Sequence, residues 1–293
     1  MTHRLAIIGS CQVSGMASTA WQLRPDLHIE PHHIGAHLSA GEIADRIVGF
    51  DTVITQVAEG DSRFPELVPS KIARTIGKLV HIPIFVFPGL HPDMIYIFRD
   101  SGTLPGPFSE MHSLIVVVSY LLGLSEERTR RLFNAYVFAR LGYFTSYETS
   151  RQGMIAQFAE AGYDMQGMPE HWLGKSGAFM YTMNHPAIPV LAQMAVDALK
   201  RTGLIPQDAT PPEDVDDYLS TAFVAPVFPS LARRIGLAEN DRFLKPVSQG
   251  EPRDLSLEDY ISHSFAMYRD LPAADLDSPQ VRHAYDTLKA LLY

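Results

Sequence analysis

The only cysteine of the 293-residue chain, Cys11, stands at a position suited to a reactive thiol. It follows a short apolar run, Leu5 to Ile8, and precedes a stretch with helical character. A helix N-terminus offers unpaired N–H groups and a partial positive charge, and both favour a thiolate over a thiol. Gly9 allows a tight turn or the close approach of a ligand. Cys11 is therefore a candidate nucleophile, with an inert buried thiol as the alternative.

A cysteine nucleophile needs a base, and position selects among the 12 histidines of the chain. His185 stands at the end of a late predicted strand, and His91 follows the fourth predicted strand. The C-terminal ends of parallel strands meet at one edge of a sheet, where ligands bind. We therefore expect both histidines at the edge that carries Cys11, with His185 as the base.

Further polar positions are predicted to line the same cleft. Gly35 follows the second predicted strand and could supply a backbone donor to an oxyanion. Gln56 ends the third predicted strand and either turns its amide into the cleft or leaves it in water. Lys71 and Arg74 have helical spacing and are candidate contacts for phosphate groups, with a solvated helix face as the alternative.

The segment PHHIGAH, with His32, His33 and His37, invites comparison with a metal site. No cysteine or acidic residue stands at ligand spacing, and alternation along a strand turns His32 and His33 to opposite faces. We therefore predict no metal. The Walker A and G-x-G-x-x-G patterns are also missing from the sequence, so it gives no support for nucleotide hydrolysis or Rossmann cofactor binding.

The composition sets limits on the class of protein. With 46% hydrophobic and 19% charged residues, the chain can bury a sizeable core. A net charge of −9 argues against general nucleic-acid binding. The longest apolar stretch, at 114–124, is about half the length of a membrane span. A single cysteine and no visible secretory signal predict a cytoplasmic protein.

The first hundred residues alternate between predicted strands and helices. Ser39 and Glu42 form a capping-box pattern. The predicted strands cover 4–9, 28–35, 52–57 and 82–88, and the predicted helices cover 12–23, 40–48 and 70–79. This alternation predicts an α/β fold, with a doubly wound, mainly parallel sheet that has helices on both faces.

The rest of the chain is mainly helical in character. Ser109, Ser125 and Ser146 are predicted to begin helices that end near 122, 141 and 162. A strand over 177–186 precedes a helix that stops at Gly203. A proline-rich, acidic linker is expected over 204–217, and short helices near 215–222, 229–236, 256–268 and 279–292. We therefore predict a catalytic domain over 1–203 with a helical insertion at about 109–162, and a linker and helical C-terminal segment over 204–293, packed on the core.

Several motifs together resemble the WcbI family of polysaccharide biosynthesis enzymes. They are IIGSCQ at 7–12, VITQ at 53–56, PGLHPD at 88–93, NHP at 184–186 and FVAPVFPSLARRIGL at 223–237. The resemblance covers most of the chain. It implies a core similar to that of the SGNH hydrolases, coenzyme A binding, and acetyl transfer to a capsular sugar.

The resemblance also implies roles for individual residues. Cys11 takes the nucleophile position and His185 the late-histidine position. The cleft would also be lined by Gly9, Ser10, Gln12 and Gln56. Asn184, beside His185 in the NHP motif, is a further candidate for substrate binding. The sequence departs from the expected pattern, because Ser10 replaces an asparagine and Thr182 stands where an aspartate would orient the histidine.

These observations predict a cytoplasmic acyltransferase that moves an acetyl group from acetyl-CoA to a hydroxyl of a sugar or nucleotide-sugar acceptor, without a metal. Either Cys11 carries the acetyl group, or His185 activates the hydroxyl for direct attack. A thiol esterase and a non-catalytic module that binds coenzyme A or a glycan are the alternatives. The sequence leaves the oligomeric state open, a homodimer included.

Overall fold

The computed structural model describes residues 2–99, 102–246 and 253–292. Within these ranges the strands are, in chain order, β1 (Arg4–Gly9), β2 (His28–His33), β3 (Thr52–Thr55), β4 (Lys78–His81), β5 (Met94–Tyr96), β6 (Phe98–Arg99), β7 (Gly102–Thr103), β8 (Met111–Ser113), β9 (Met180–Thr182), β10 (His185–Pro186), β11 (Phe243–Lys245) and β12 (Arg253–Leu255). The helices are α1 (Val13–Leu23), α2 (Ala40–Arg46), α3 (Pro69–Ile72), α4 (Leu114–Leu121), α5 (Glu126–Arg131), α6 (Ala135–Arg140), α7 (Ser146–Glu160), α8 (Met168–Ser176), α9 (Ile188–Thr202), α10 (Pro229–Ile235), α11 (Leu257–Tyr268) and α12 (Pro279–Leu292).

The chain divides into two compact units. The sheet unit comprises Met1–Val86, Gln152–Phe179 and His185–Leu219, and the helical unit comprises Phe87–Arg151, Met180–Asn184 and Ser220–Tyr293. The division of the chain into a catalytic domain over 1–203 and a segment over 204–293 stays a prediction.

A four-stranded parallel sheet forms the centre of the sheet unit, in the order β2-β1-β3-β4. Its strands alternate with helices along the chain, because each parallel return needs a crossover. The predicted α/β class with a mainly parallel sheet is confirmed.

Helices cover both faces of this sheet. Ala6 and Ile8 of β1 pack in one cluster with Ile43 of α2 and Ile72 of α3. Alternation turns the intervening Ile7 to the opposite face, where α1 packs against β1 and α9 packs against both α1 and β4. The sheet is therefore doubly wound, as predicted.

Two predicted helix boundaries are confirmed in detail. Ser39 and Glu42 form both hydrogen bonds of a capping box at the start of α2. Gly203 follows α9 with φ +78°, the left-handed conformation that glycine adopts most readily.

The prediction for the fourth crossover is wrong. Helix α3 ends at Ile72 rather than near 79, and the fourth strand is Lys78–His81 rather than 82–88. The run over 82–88 is the more apolar of the two, but Pro83 and Pro88 have no N–H to donate to a strand ladder. Pairing with β3 therefore selects the preceding residues.

The helical insertion begins and breaks at other residues than expected. Ser113, rather than Ser109, caps α4, since Met111–Ser113 forms a strand that pairs with β5. The single helix predicted after Ser125 is two helices, because the Asn134 side chain accepts hydrogen bonds from two N–H groups and starts a new one. Helix α8 was not predicted.

Candidate active site

The C-terminal end of β1 carries a close contact between a glycine and a side chain. A Cβ atom on Gly9 would lie 2.2 Å from Oε1 of Gln56, which follows β3. Only glycine therefore leaves room for the Gln56 amide over the end of β1.

The Gln56 amide belongs to a buried hydrogen-bond network. Its Oε1 accepts from the Ser10 N–H at 3.1 Å and from the Ser10 hydroxyl at 3.2 Å. Its Nε2 donates to Gln12 Oε1 at 2.9 Å. The Gln12 amide in turn bonds to both main-chain groups of Phe85, donating to its carbonyl at 2.7 Å and accepting from its N–H at 3.0 Å. The network fixes the turn on either side of Cys11.

Cys11 lies between β1 and α1, is partly exposed, and forms no disulfide. Burial raises the pKa of its thiol, although the Ser10 side chain and the N–H groups of Cys11 and Gln12 act in the opposite direction. The predicted preference for a thiolate is therefore reversed. At neutral pH the thiol dominates, so nucleophilic attack requires a base.

His185 lies in β10, three residues before α9. The single strand predicted over 177–186 is wrong, because the stretch forms two short strands, β9 and β10, and neither belongs to the parallel sheet. Burial lowers the pKa of its imidazole, so the ring is neutral at pH 7 and can accept a proton. Its Nδ1 atom is buried and has no hydrogen-bond partner among the described residues. Thr182 stands where an aspartate would orient the histidine, and its hydroxyl donates to Asn184 Oδ1 at 3.1 Å.

The starts of α1 and α9 lie against each other. A Cβ atom on Gly15 would stand 2.6 Å from Leu191 Cδ1 and 3.1 Å from Ile188 Cδ1. Cys11 is four residues before Gly15, and His185 is three residues before Ile188. The segments that carry the thiol and the imidazole therefore reach the same end of the helix pair.

Gly35 also lies at this edge of the sheet. The N–H of Ile34 donates to the carbonyl of Gly9 at 2.8 Å, which continues the pairing of β1 with β2 to the residue before Gly35. Gly35 has φ +82°, and a Cβ atom there would meet nothing within 4 Å. This open space could admit a ligand.

His91 and Asn184 belong to the helical unit and have structural partners there. Both ring nitrogens of His91 lie 3.1 Å from main-chain carbonyls, those of Pro226 and Met180. Asn184 Oδ1 also accepts from the Tyr96 hydroxyl at 3.2 Å. These contacts connect segments of the unit, and the predicted ligand contacts of both residues stay predictions.

Lys71 and Arg74 do not share the helix on which their prediction depended, because α3 ends at Ile72. Arg74 is exposed, and the next residue, Thr75, accepts a hydrogen bond from the N–H of Gly49 just before β3. Arg74 therefore lies near the edge of the parallel sheet opposite to the one that carries Cys11. This location does not support a contact between Arg74 and a ligand at the thiol, and the role of Lys71 stays a prediction.

Phe85 and Asp93 have roles that sequence reasoning missed. Phe85 contributes only main-chain groups, so residue type gives no signal. Asp93, in the PGLHPD motif, is buried and accepts from the Ile115 N–H at 3.0 Å and the Tyr143 hydroxyl at 2.8 Å. It thereby fixes the start of α4. Burial raises the pKa of its carboxyl.

Two negative observations concern the described ranges only. They contain no group of three histidine, cysteine or acidic residues arranged to hold a metal ion. None of their helices combines the length and the apolar character that crossing a membrane requires.

Comparisons with known proteins identify the family. A family model described as "Polysaccharide biosynthesis enzyme WcbI" matches residues 4–207. A solved structure of WcbI aligns with a TM-score of 0.69 over 98% of this chain and 99% of that chain, at 13% identity. It is described as a novel polysaccharide biosynthesis enzyme, in its native form without a disulfide bond between coenzyme A and a cysteine of that protein. No curated protein matches. Because the family model spans more than two thirds of the chain, this protein belongs to the WcbI family of polysaccharide biosynthesis enzymes.

Proposed function

We propose that the protein transfers an acetyl group from acetyl-CoA to a sugar hydroxyl during the synthesis of a capsular polysaccharide. One observation carries the proposal. Two segments reach the same end of a pair of packed helices, and one carries a partly exposed thiol while the other carries a neutral imidazole. The description of the solved relative supports it, because it connects coenzyme A with a cysteine of that protein. The predicted cytoplasmic location stays a prediction.

In the route that we favour, Cys11 carries the acetyl group. His185 accepts the proton of the Cys11 thiol as Sγ bonds to the thioester carbonyl carbon of acetyl-CoA, and the same proton then leaves with the thiol of coenzyme A. In the second half, His185 accepts the proton of the sugar hydroxyl, whose oxygen attacks the acetyl carbon. The bond to Sγ breaks, and the thiolate takes the proton back.

The protonation states favour a role for both residues. A thiol with a raised pKa needs a base, and an imidazole with a lowered pKa is unprotonated and ready to act as one. In the competing route, His185 activates the sugar hydroxyl for direct attack on acetyl-CoA, and Cys11 is only a wall of the site.

The amide network positions the nucleophile in this proposal. The Ser10 hydroxyl has one hydrogen, which it donates to Gln56 Oε1 when Cys11 is a thiol. When Cys11 loses its proton, the Ser10 hydroxyl can turn the same hydrogen to Sγ. The Ser10 side chain is one of the groups that lower the pKa of Cys11.

The test measures the release of free coenzyme A from acetyl-CoA with and without a panel of sugars and nucleotide sugars. Release that depends on a sugar supports the transferase. Release into water alone would identify a thiol esterase instead. Without turnover, a rise in melting temperature with coenzyme A would identify a binding module, because a ligand that binds only the native state stabilises it. No shift and no turnover would remove the proposal.

The two routes differ in what Cys11 retains. The covalent route predicts an acetyl-sized increase in the mass of the protein after mixing with acetyl-CoA without acceptor, and its loss in Cys11→Ala. Direct transfer predicts no increase and a Cys11→Ala variant that still works.

A further inference from the structure

A pocket of about 680 Å³ lies within the sheet unit, beside the first turn of α9. Helix α8 and the segment 210–215 form its other walls. Its volume lies within the range of small-molecule sites, roughly 300–1,000 Å³. No role was predicted for its residues from the sequence.

The wall formed by 210–215 is held in place, although the sequence predicts a linker there. The Asp217 carboxylate accepts from the N–H of Ile188 at 2.9 Å, at the start of α9. The Gln22 side chain of α1 donates to the carbonyl of Asp214. These two bonds attach the segment to the helices that flank the catalytic residues.

The pocket is close to the proposed catalytic residues. Ile188 lines it and also contacts the start of α1 at Gly15. His185 is three residues before Ile188, so their Cα atoms are at most about 11 Å apart. The segment that carries the imidazole therefore leads directly into the wall of the pocket.

The polar lining fits a phosphorylated sugar. His171 and Lys175 stand four residues apart on α8, which places both on one face. Lys175 and Glu213 are exposed, and neither forms an ion pair among the described residues. Gln193 donates to Asp197 at 2.9 Å, which leaves its carbonyl oxygen as an acceptor. The ammonium group suits a phosphate, and the two acceptors suit sugar hydroxyls.

We propose that this pocket binds the acceptor, as a sugar that carries a phosphate ester: a sugar 1-phosphate or a nucleotide sugar. Lys175 contacts the phosphate, and Gln193 and Glu213 accept hydrogen bonds from hydroxyl groups. This identification of the substrate class rests on the proposed acetyl transfer. Coenzyme A also carries phosphates and is the competing occupant.

Calorimetric titration tests the proposal with the 1-phosphates of glucose, galactose and mannose, their nucleotide diphosphate forms, the unphosphorylated sugars, and coenzyme A. We compare Lys175→Gln with Lys289→Gln, a matched change on α12 of the helical unit. At least one phosphorylated sugar should bind at millimolar concentration or below, and more tightly than its unphosphorylated form. Lys175→Gln should weaken that binding about tenfold or more, since a hydrogen bond to a charged group contributes that much. Lys289→Gln should not.

Turnover adds a second readout. Lys175→Gln should raise the KM for the acceptor and leave kcat and the affinity for coenzyme A unchanged. A loss of affinity for coenzyme A instead would assign the pocket to that molecule, and binding of no phosphorylated sugar would overturn the proposal. If phosphorylated sugars bind through Lys175 but no acetyl group moves, the proposed function and the acceptor role fail, and only the binding of a phosphorylated sugar by this pocket stands.

Discussion

Replacement of Gln12 by leucine should strongly destabilise the protein. Gln12 is fully buried, and its amide bonds to the N–H and carbonyl of Phe85 and to the side chain of Gln56. Leucine has a similar size and offers no polar atom. Gln12→Leu therefore leaves three buried polar groups without these partners.

The expected loss in the free energy of unfolding follows from the number of buried polar groups that lose a partner. Each unsatisfied buried donor or acceptor costs about 1–3 kcal/mol. The apolar leucine side chain offsets about 1 kcal/mol of this total by its burial. We expect a loss of about 2–8 kcal/mol in the free energy of unfolding, against a typical total of about 5–15 kcal/mol. At about 2–4 °C per kcal/mol, the melting temperature should fall by at least about 4 °C.

Urea denaturation followed by circular dichroism measures the loss. Gln157→Leu is the matched control, because Gln157 is exposed on helix α7 and its side chain forms no hydrogen bond among the described residues. That control should change stability by no more than about 0.5 kcal/mol. A loss below about 1 kcal/mol in Gln12→Leu would refute the network.

Four further predictions follow, and the first three concern the same edge of the sheet. Alkylation of Cys11 by iodoacetamide at pH 7.5 should be slower than alkylation of an unstructured cysteine, because a raised pKa leaves less thiolate. The rate should keep rising with pH above about 8.5, the ordinary pKa of a cysteine. A plateau in the rate below that pH contradicts the raised pKa. Cys11→Ala and His185→Ala should each lower transfer by about 10²-fold or more, and the double variant should be little worse, because the two act together; additive losses in the double variant argue for separate roles. Gly15→Ala should lower the free energy of unfolding by about 1–3 kcal/mol, because its Cβ would overlap Leu191. Gly41→Ala in α2 should raise it by up to about 1 kcal/mol, because the added Cβ meets open space and helix propensity improves.

The early part of the fold could be predicted because its signals are local. The capping pair of α2 and the glycine after α9 each lie within a few residues of the boundary that they determine. The fourth strand could not be predicted in the same way. The four residues of β4 are less apolar than the run over 82–88 that follows them. Pairing with β3 decides that β4, rather than this run, forms the strand.

The candidate site was predictable to a similar degree. The order of strand ends placed Cys11 and the open candidate Gln56 at one edge, since parallel strands bring their C-terminal ends together. His185 does not follow from this rule, because β10 is not a strand of the parallel sheet. The contact between Gln12 and Phe85 was not predictable, because it joins a side chain to main-chain groups 73 residues away. The thiol pKa also depends on burial, which the sequence does not give.

The interleaving of the two units has a consequence for synthesis on the ribosome. The sheet unit needs residues up to Leu219, and the helical unit supplies Phe87–Arg151 and Met180–Asn184 before that point. Helices α1 and α9, which pack against each other, begin about 175 residues apart, and such distant contacts slow folding. The nascent chain therefore emerges with α1 long before α9 can pack against it. Neither unit can be produced alone by cutting the chain at one point, and a nascent chain stopped before residue 188 should expose the face of α1 that carries Gly15 to chaperones.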